Sequence, residues 1–337
     1  MAREVVLTGI TTTGTPHLGN YVGAIRPAID ASKNENVNSY LFLADYHALI
    51  KNQDPQLLKQ STFEIAATWL ACGLDPNKVV FYRQSDIPEI MELTWILTCM
   101  SAKGLLNRAH AYKAVIQENE QSGKKDLEEG VTMGLFSYPI LMAADILMFK
   151  ANKVPVGKDQ IQHIEMARDM AQRFNHYYGE LLVLPQSVTS ENTSVLTGLD
   201  GRKMSKSYNN TIPLFLPEKK FRKMIMKIVT NLLEPGQPKD PDTSAVFQIY
   251  QAFAAEAETK AMRQKFAEGI AWGEAKQQLF EYINTEISEY REKYNDLIQN
   301  PDYVENILLE GAKKAREVSV PYIKELRKAI GFGPLHK

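Results

Sequence analysis

Four short runs rich in β-branched and aromatic residues, Glu4 to Thr8, Ser39 to Leu43, Val79 to Tyr82 and Lys153 to Val156, alternate with segments of helical period in the first 190 residues. That alternation constrains the fold more than any other feature, because successive strands joined by helices pair as parallel crossovers with helices on both faces. It predicts an α/β protein with a doubly wound parallel sheet.

The helical segments are punctuated. Asp54 and Pro55 supply an N-cap and a first-turn proline, Gln56 to Cys72 keeps helical period, and Gly73 closes the segment. A helix over Gly19 to Ser32 follows the first strand, and Pro27 inside it predicts a kink or restart. Gly130 to Phe149 is apolar all round and reads as a buried helix, whereas Lys113 to Glu129 is polar enough to read as a connecting loop. After residue 210 the strand signals stop. Phe221, Met224, Ile225 and Ile228 make the stripe of a basic amphipathic helix, and Thr243 to Glu258, Gly273 to Gln299 and Val304 to Ile330 follow as further helices beyond a loop at Pro235, Pro238 and Pro241. The division expected is 1–205 as the sheet domain, 206–300 as an all-helical domain, and 301–337 as a C-terminal helix placed to pack back on the first.

The remaining composition narrows the class. A chain of 337 residues with 44% hydrophobic and 23% charged residues is ordinary for a globular protein, which excludes collagen-like and disordered classes. Cys72 and Cys99 cannot form a disulfide framework or a four-ligand zinc site. The run from Phe136 to Phe149 falls short of the roughly 20 residues that cross a bilayer. The opening MAREVVLTGI lacks the pattern of a signal peptide, so a reducing, cytoplasmic compartment and no membrane partner are expected. The formal net charge of -1 hides an uneven field: residues 201–230 carry eight cations against Glu218 alone. Such a patch suits polyanion binding, and a solvated helix face is its bland alternative.

Two motifs carry chemistry. The first is the turn after the first strand, Gly9 to Asn20 (GITTTGTPHLGN), where a strand feeds small residues and then a helix start. That geometry aims backbone N–H groups and a helix dipole at an anion, and a nucleotide is the natural ligand. Neither G-x-G-x-x-G nor G-x-x-x-x-G-K-[ST] occurs, so nicotinamide and P-loop readings lose their main support. The second is Gly201 to Ser207 (GRKMSKS), a small-residue loop with mobile cations suited to a triphosphate.

Pro-His-Leu-Gly-Asn at His17 followed by Lys-Met-Ser-Lys-Ser at Lys203 resembles the HIGH and KMSKS signatures of class I aminoacyl-tRNA synthetases, whose signatures bracket a Rossmann-type sheet domain. With Tyr138 to Asp145 (YPILMAAD) and Val154 to Gln160 (VPVGKDQ), the chain resembles the bacterial tryptophanyl branch over nearly its whole length. The related tyrosyl enzymes typically carry glutamine where Met142 stands. An indole N–H only donates, so Asp145 is a suitable acceptor and Met142 a polarizable wall. Tyr138, Met142 and Asp145 fall at i, i+4 and i+7 and share a helix face.

The resemblance implies ATP-dependent joining of L-tryptophan to tRNA(Trp) through tryptophanyl-adenylate. ATP is then a substrate with Mg²⁺ on its triphosphate, no metal is held by the protein alone, the chain is a homodimer, and the helical domain reads the anticodon. Carried over residue by residue, Thr11, Thr12, Thr13, Gly19 and Asn20 line the ATP site with His17. Gly157, Lys158 and Asp159 hold nucleotide, Val195 lies against adenine, and Lys203, Met204, Ser205, Lys206 and Ser207 bind the triphosphate. His17, Lys203 and Lys206 stabilise the departing pyrophosphate. Asp145, Met142, Tyr138, His47, Gln160, Val154 and Val156 surround the tryptophan, and Lys219, Lys220, Arg222 and Lys223 meet tRNA phosphates. Two departures stand out: Thr11 to Thr13 replace the usual Gln-Pro-Ser, and Asn20 replaces the last signature histidine, the latter common in tryptophanyl enzymes. A tyrosyl enzyme, a catalytically silent RNA-binding paralogue and a small-molecule nucleotidyltransferase are the alternatives. Intact His17, Lys203 and Lys206 speak against the second, and the long helical region against the third.

Overall fold

The computed structural model describes residues 3–157, 160–189 and 196–335. Among these, strands β1 (Glu4–Thr11), β2 (Val37–Ala44), β3 (Val80–Arg83), β4 (Lys153–Pro155) and β5 (Gln186–Val188) form one sheet in the order β3-β2-β1-β4-β5. Every pairing is parallel, and β1 runs in register with β2 from Glu4 opposite Val37 to Thr11 opposite Ala44. The chain leaves β1 toward β2 on one side and returns as β4 on the other. A crevice therefore opens at the carboxyl ends of β1 and β4, where doubly wound sheets bind ligands. Gly9 keeps that crevice open, since a Cβ there would lie 2.5 Å from the Phe42 ring.

The helix after β1 begins as α1 (Leu18–Asn20), widens to a π-turn over Tyr21–Ile25, and continues as α2 (Arg26–Ser32). Pro27 accounts for the widening: it has no N–H for the Gly23 carbonyl and its ring crowds that group. After α3 (Asp45–Ala48), Asp54 caps α4 (Pro55–Ala71) by accepting from Gln56 N at 2.9 Å and Leu57 N at 3.1 Å. Then come α5 (Pro88–Met100), α6 (Lys103–Leu106), α7 (His110–Gln121), α8 (Met133–Met148) and α9 (Ile161–Tyr178).

Two local expectations are corrected. The segment Lys113 to Glu129 is helical through Gln121, and buried Asn119 folds its remainder back by donating to the carbonyls of Leu127 and Glu129 at 2.9 and 2.8 Å. The stretch Thr243 to Glu258 breaks where Ala254 is extended, between α11 (Ala245–Phe253) and α12 (Glu256–Ala267).

The basic helix is α10 (Glu218–Met226), and α13 (Trp272–Gln299) and α14 (Pro301–Ala329) follow. One core lies on the sheet face that carries Trp69 and Phe81 and continues without a break into Phe221, Phe247, Leu279 and Ile283 of the helical region. The other joins Phe42, Tyr82, Leu93, Leu147 and Phe174 to Tyr322 of α14. Large side chains such as Trp69 and Phe81 each stabilise the fold by about 2–3 kcal/mol through burial. Helix α14 lies directly on β3. A Cβ on Gly311 would sit 1.6 Å from the Phe81 carbonyl oxygen, and Arg316 bridges to Glu89 at 2.8 Å.

Candidate active site

The crevice holds a cavity of about 550 Å³ with Gly9 and Thr11 of β1 on one wall and Val154 of β4 on another. All seven residues assigned to the amino acid, His47, Tyr138, Met142, Asp145, Val154, Val156 and Gln160, line it, joined by Thr13, Lys51, His110 and His163. Helix α8 accounts for the convergence: its apolar faces pack into the core, and the spacing of Tyr138, Met142 and Asp145 turns all three to the cavity.

Asp145 is 1% exposed. His47 Nε2 lies 2.9 Å from its Oδ2, and the Gln84 amide donates to both carboxylate oxygens at 2.8 and 2.9 Å. Burial pushes the carboxyl above its usual range, the bonds from His47 and Gln84 pull it back, and the nearby Asp45 charge adds to the rise. The Tyr138 hydroxyl lies 2.7 Å from His163 Nε2. Gln84 and His163 escaped the sequence reading. A polar triplet directly after a strand, Gln84 to Asp86, was the signal for the first.

The histidine turn lies beside the cavity. Gly14 adopts φ +60°, a left-handed conformation, and its N–H donates to Ser61 Oγ at 2.9 Å. Asn20 Oδ1 accepts from His17 N at 3.1 Å and starts the helix. Gly19 leaves room for a nest, since a Cβ there would meet the His17 ring at 3.1 Å and the Met204 sulfur at 3.6 Å. Burial, and then the Lys206 charge, draw the His17 pKa down to about 4, so near neutral pH it offers a hydrogen bond rather than a charge. Thr12 is wholly buried, and its hydroxyl has no hydrogen-bond partner among the described residues.

The lysine loop is stapled to this turn. Leu18 N donates to Ile212 O and Leu214 N to Pro16 O, each at 3.0 Å, so the segment after the loop pairs with the turn itself. Buried Asn210 holds the base of the loop: its Oδ1 accepts from Ser205 N at 2.8 Å, and its Nδ2 donates to Asp200 at 2.7 Å and to Lys203 O at 3.0 Å. Met204 is buried, whereas Lys203 and Ser207 are exposed and Ser205 is half-buried. Lys206 is exposed along its stem, but its ammonium reaches into the turn and donates to the Thr13 carbonyl. That crowding lowers its pKa to about 8, opposed by the Glu64 charge.

Gly157 is half-buried. Lys158, Asp159 and Val195 lie outside the described residues. Lys219, Lys220, Arg222 and Lys223 are exposed on α10 and none lines the cavity. No cluster of three His, Cys, Asp or Glu among the described residues is arranged to hold a metal ion.

Residues 2–288 match the family described as tRNA synthetases class I (W and Y). The tryptophan–tRNA ligase of Pseudomonas aeruginosa is 61% identical over 335 residues, 98% of this chain and 75% of that protein. That of Neisseria meningitidis is 58% identical over 335 residues, 99% of this chain and 100% of the relative. The crystal structure of tryptophanyl-tRNA synthetase from Campylobacter jejuni, complexed with ADP and tryptophan, matches at a TM-score of 0.85 and 42% identity, covering 97% of this chain and 100% of that one. The chain belongs to the class I tRNA synthetases for tryptophan and tyrosine, and within them to the bacterial tryptophan–tRNA ligases.

Proposed function

We propose that this ligase seats the indole of tryptophan against Met142 with its N–H on Asp145, and lays ATP across the histidine turn under the lysine loop. The observation that carries the reading is a buried carboxylate on a cavity walled in part by Met142, Val154 and Val156, beside a turn that Lys206 reaches. The tryptophan carboxylate attacks the α-phosphorus. As its oxygen–phosphorus bond forms, the bond to the β-phosphate bridging oxygen breaks and pyrophosphate leaves with the electron pair. The terminal ribose hydroxyl of tRNA(Trp) then attacks the activated carbonyl and AMP departs.

In-line displacement of this kind asks the protein for position and charge stabilisation rather than a covalent partner. His17 donates a hydrogen bond, and Lys203 and Lys206 supply charge. Mg²⁺ enters with the triphosphate as part of the substrate. The hydroxyls, N–H groups and cations of the turn and loop suit phosphate oxygens, which would carry the ion.

Lys219, Lys220, Arg222 and Lys223 are assigned to tRNA phosphates because they stand exposed on one short helix. A homodimer is supported by exposed Met91 and Trp95 on α5, Trp95 being 68% exposed. No helix among the described residues is long and apolar enough to cross a membrane, and the tRNA substrate supports the cytoplasm as its site of action. ATP–pyrophosphate exchange screened across all amino acids tests the reading. Tryptophan is expected to drive exchange, and equal exchange with tyrosine would overturn the pocket assignment.

A further inference from the structure

Asp145 is held from the ends of two strands it does not follow. Gln84, wholly buried, comes directly after β3, and its Oε1 accepts from Tyr46 N at 3.1 Å, just beyond β2. Asp45 zips the same two segments from the other side, accepting from Tyr46 N and Ser85 N, each at 3.0 Å. Anchored in this way, the Gln84 amide nitrogen sits at 2.8 and 2.9 Å from the two oxygens of Asp145. A donor nearly equidistant from both oxygens lies close to the carboxylate's bisector and fixes where the group points. His47 occupies a second site on Oδ2. A carboxylate has about four acceptor sites, so Oδ1 keeps a free one.

We propose that Gln84 is a positioning residue for tryptophan selectivity: anchored on the Tyr46 backbone, it orients the Asp145 carboxylate so that Oδ1 receives the indole N–H. The proposal rests on the reading of Asp145 as the indole acceptor. An aspartate side chain has two rotatable bonds, and at 1% exposure Asp145 has next to no solvent to fix its direction. Gln84 supplies that direction from a rigid frame, and its two bonds also favour the ionised, acceptor-only form that a donor such as indole requires. His47 alone holds one oxygen and leaves the plane free to turn.

The test compares tryptophan with its analogue in which sulfur replaces the indole nitrogen, an isostere without the N–H. Pyrophosphate exchange is measured on both substrates for the wild type, Q84M, Q84N and D145A. Methionine in Q84M keeps the length and removes the amide; asparagine in Q84N keeps an amide but draws it back by one methylene. Both variants are expected to lower the preference for tryptophan over the analogue by roughly threefold to thirtyfold, the span of one or two net hydrogen bonds. Exchange on the analogue is expected to fall less than exchange on tryptophan. Equal losses on both substrates would show Gln84 to be merely structural, and an unchanged preference would also overturn the proposal. D145A, which removes the acceptor altogether, separates the two levels: if it abolishes the preference while Q84M and Q84N keep it, only the role of Gln84 falls, and if D145A keeps it, the reading of Asp145 falls first.

Discussion

Asp145, on the cavity wall, and Gln84 behind it are buried, and each polar atom that touches the carboxylate is itself tied to a strand end or to the helix after one. At the lysine loop, Lys203, Lys206 and Ser207 are exposed, and the anchoring falls to Asn210 at the base. The difference follows from what the proposed roles ask of each region. Selecting an indole requires acceptors fixed before the ligand arrives, in a site where water does not compete. Stabilising pyrophosphate requires charges that meet a product which then leaves, and exposed lysines on long stems meet both demands. The lysine loop meets the histidine turn rather than Asp145 or Gln84: Lys206 reaches the Thr13 carbonyl, and the Met204 sulfur lies beside Gly19.

The largest effect is expected from Lys206→Ala. Oriented charge that acts as pyrophosphate develops is worth about 3–4 kcal/mol, a fall of roughly 10² to 10³ in the kcat of exchange. Equilibrium tryptophan binding is expected to stay at the wild-type value. A loss confined to the KM for ATP would show that the lysine grips the ground state, and a loss of tryptophan affinity would break the separation of the two regions.

Asp145→Ala makes the reverse prediction. A hydrogen bond to a buried charge contributes about 1.5–3 kcal/mol, so tryptophan should weaken by roughly 10- to 150-fold while the KM for ATP holds. Unchanged tryptophan kinetics in that variant would remove Asp145 from the site.

How much of this was legible in the sequence differs between the regions. The histidine turn and the lysine loop could be read directly, because their chemistry sits in short contiguous motifs. The shared face of Tyr138, Met142 and Asp145 was also legible, because helical spacing brings residues three and four apart together. Gln84 was not: it reaches Asp145 from 61 residues away, and only the sheet order sets it there. The same holds for Asn210, whose value lies in the loop it ties. Strand β5 escaped because three residues beside a proline show no alternation, and α7 because the residue it buries is polar Asn119 and its apolar side chains are no more than half-buried.

A pH profile sharpens the contrast at intermediate size. The Lys206 pKa of about 8 lies within reach of a kinetic titration, and kcat/KM for ATP reports the free enzyme. The required form is the protonated one, so the parameter is expected to hold below pH 8 and fall above it, by about tenfold between pH 7 and 9 for one essential proton. Lys206→Arg moves the charge to a group that does not titrate there, and its profile should stay flat. A wild-type profile flat to pH 9 would assign the essential charge elsewhere.

The smallest effect concerns α10, which lies in neither region although its Phe221 and Ile225 share a core with Leu18 of the histidine turn. A shared core does not make a shared electrostatic role: Lys219, Lys220, Arg222 and Lys223 stand on the exposed face, and none of them lines the cavity. Replacing them singly with glutamine removes charge and keeps length, so packing around Phe221 is left intact. Each lost phosphate contact is expected to reduce the salt slope of tRNA binding by about 0.7 to 0.9, with adenylate formation unchanged. Arg222 is the informative member, since its Nε already donates to Gln277 at 2.8 Å and its guanidinium is partly committed within the protein. A smaller change there than at Lys219 or Lys223 would fit that commitment. Wild-type salt dependence in all four variants would make the patch a solvated face, and slowed pyrophosphate exchange would show that the shared core carries strain from α10 to the turn.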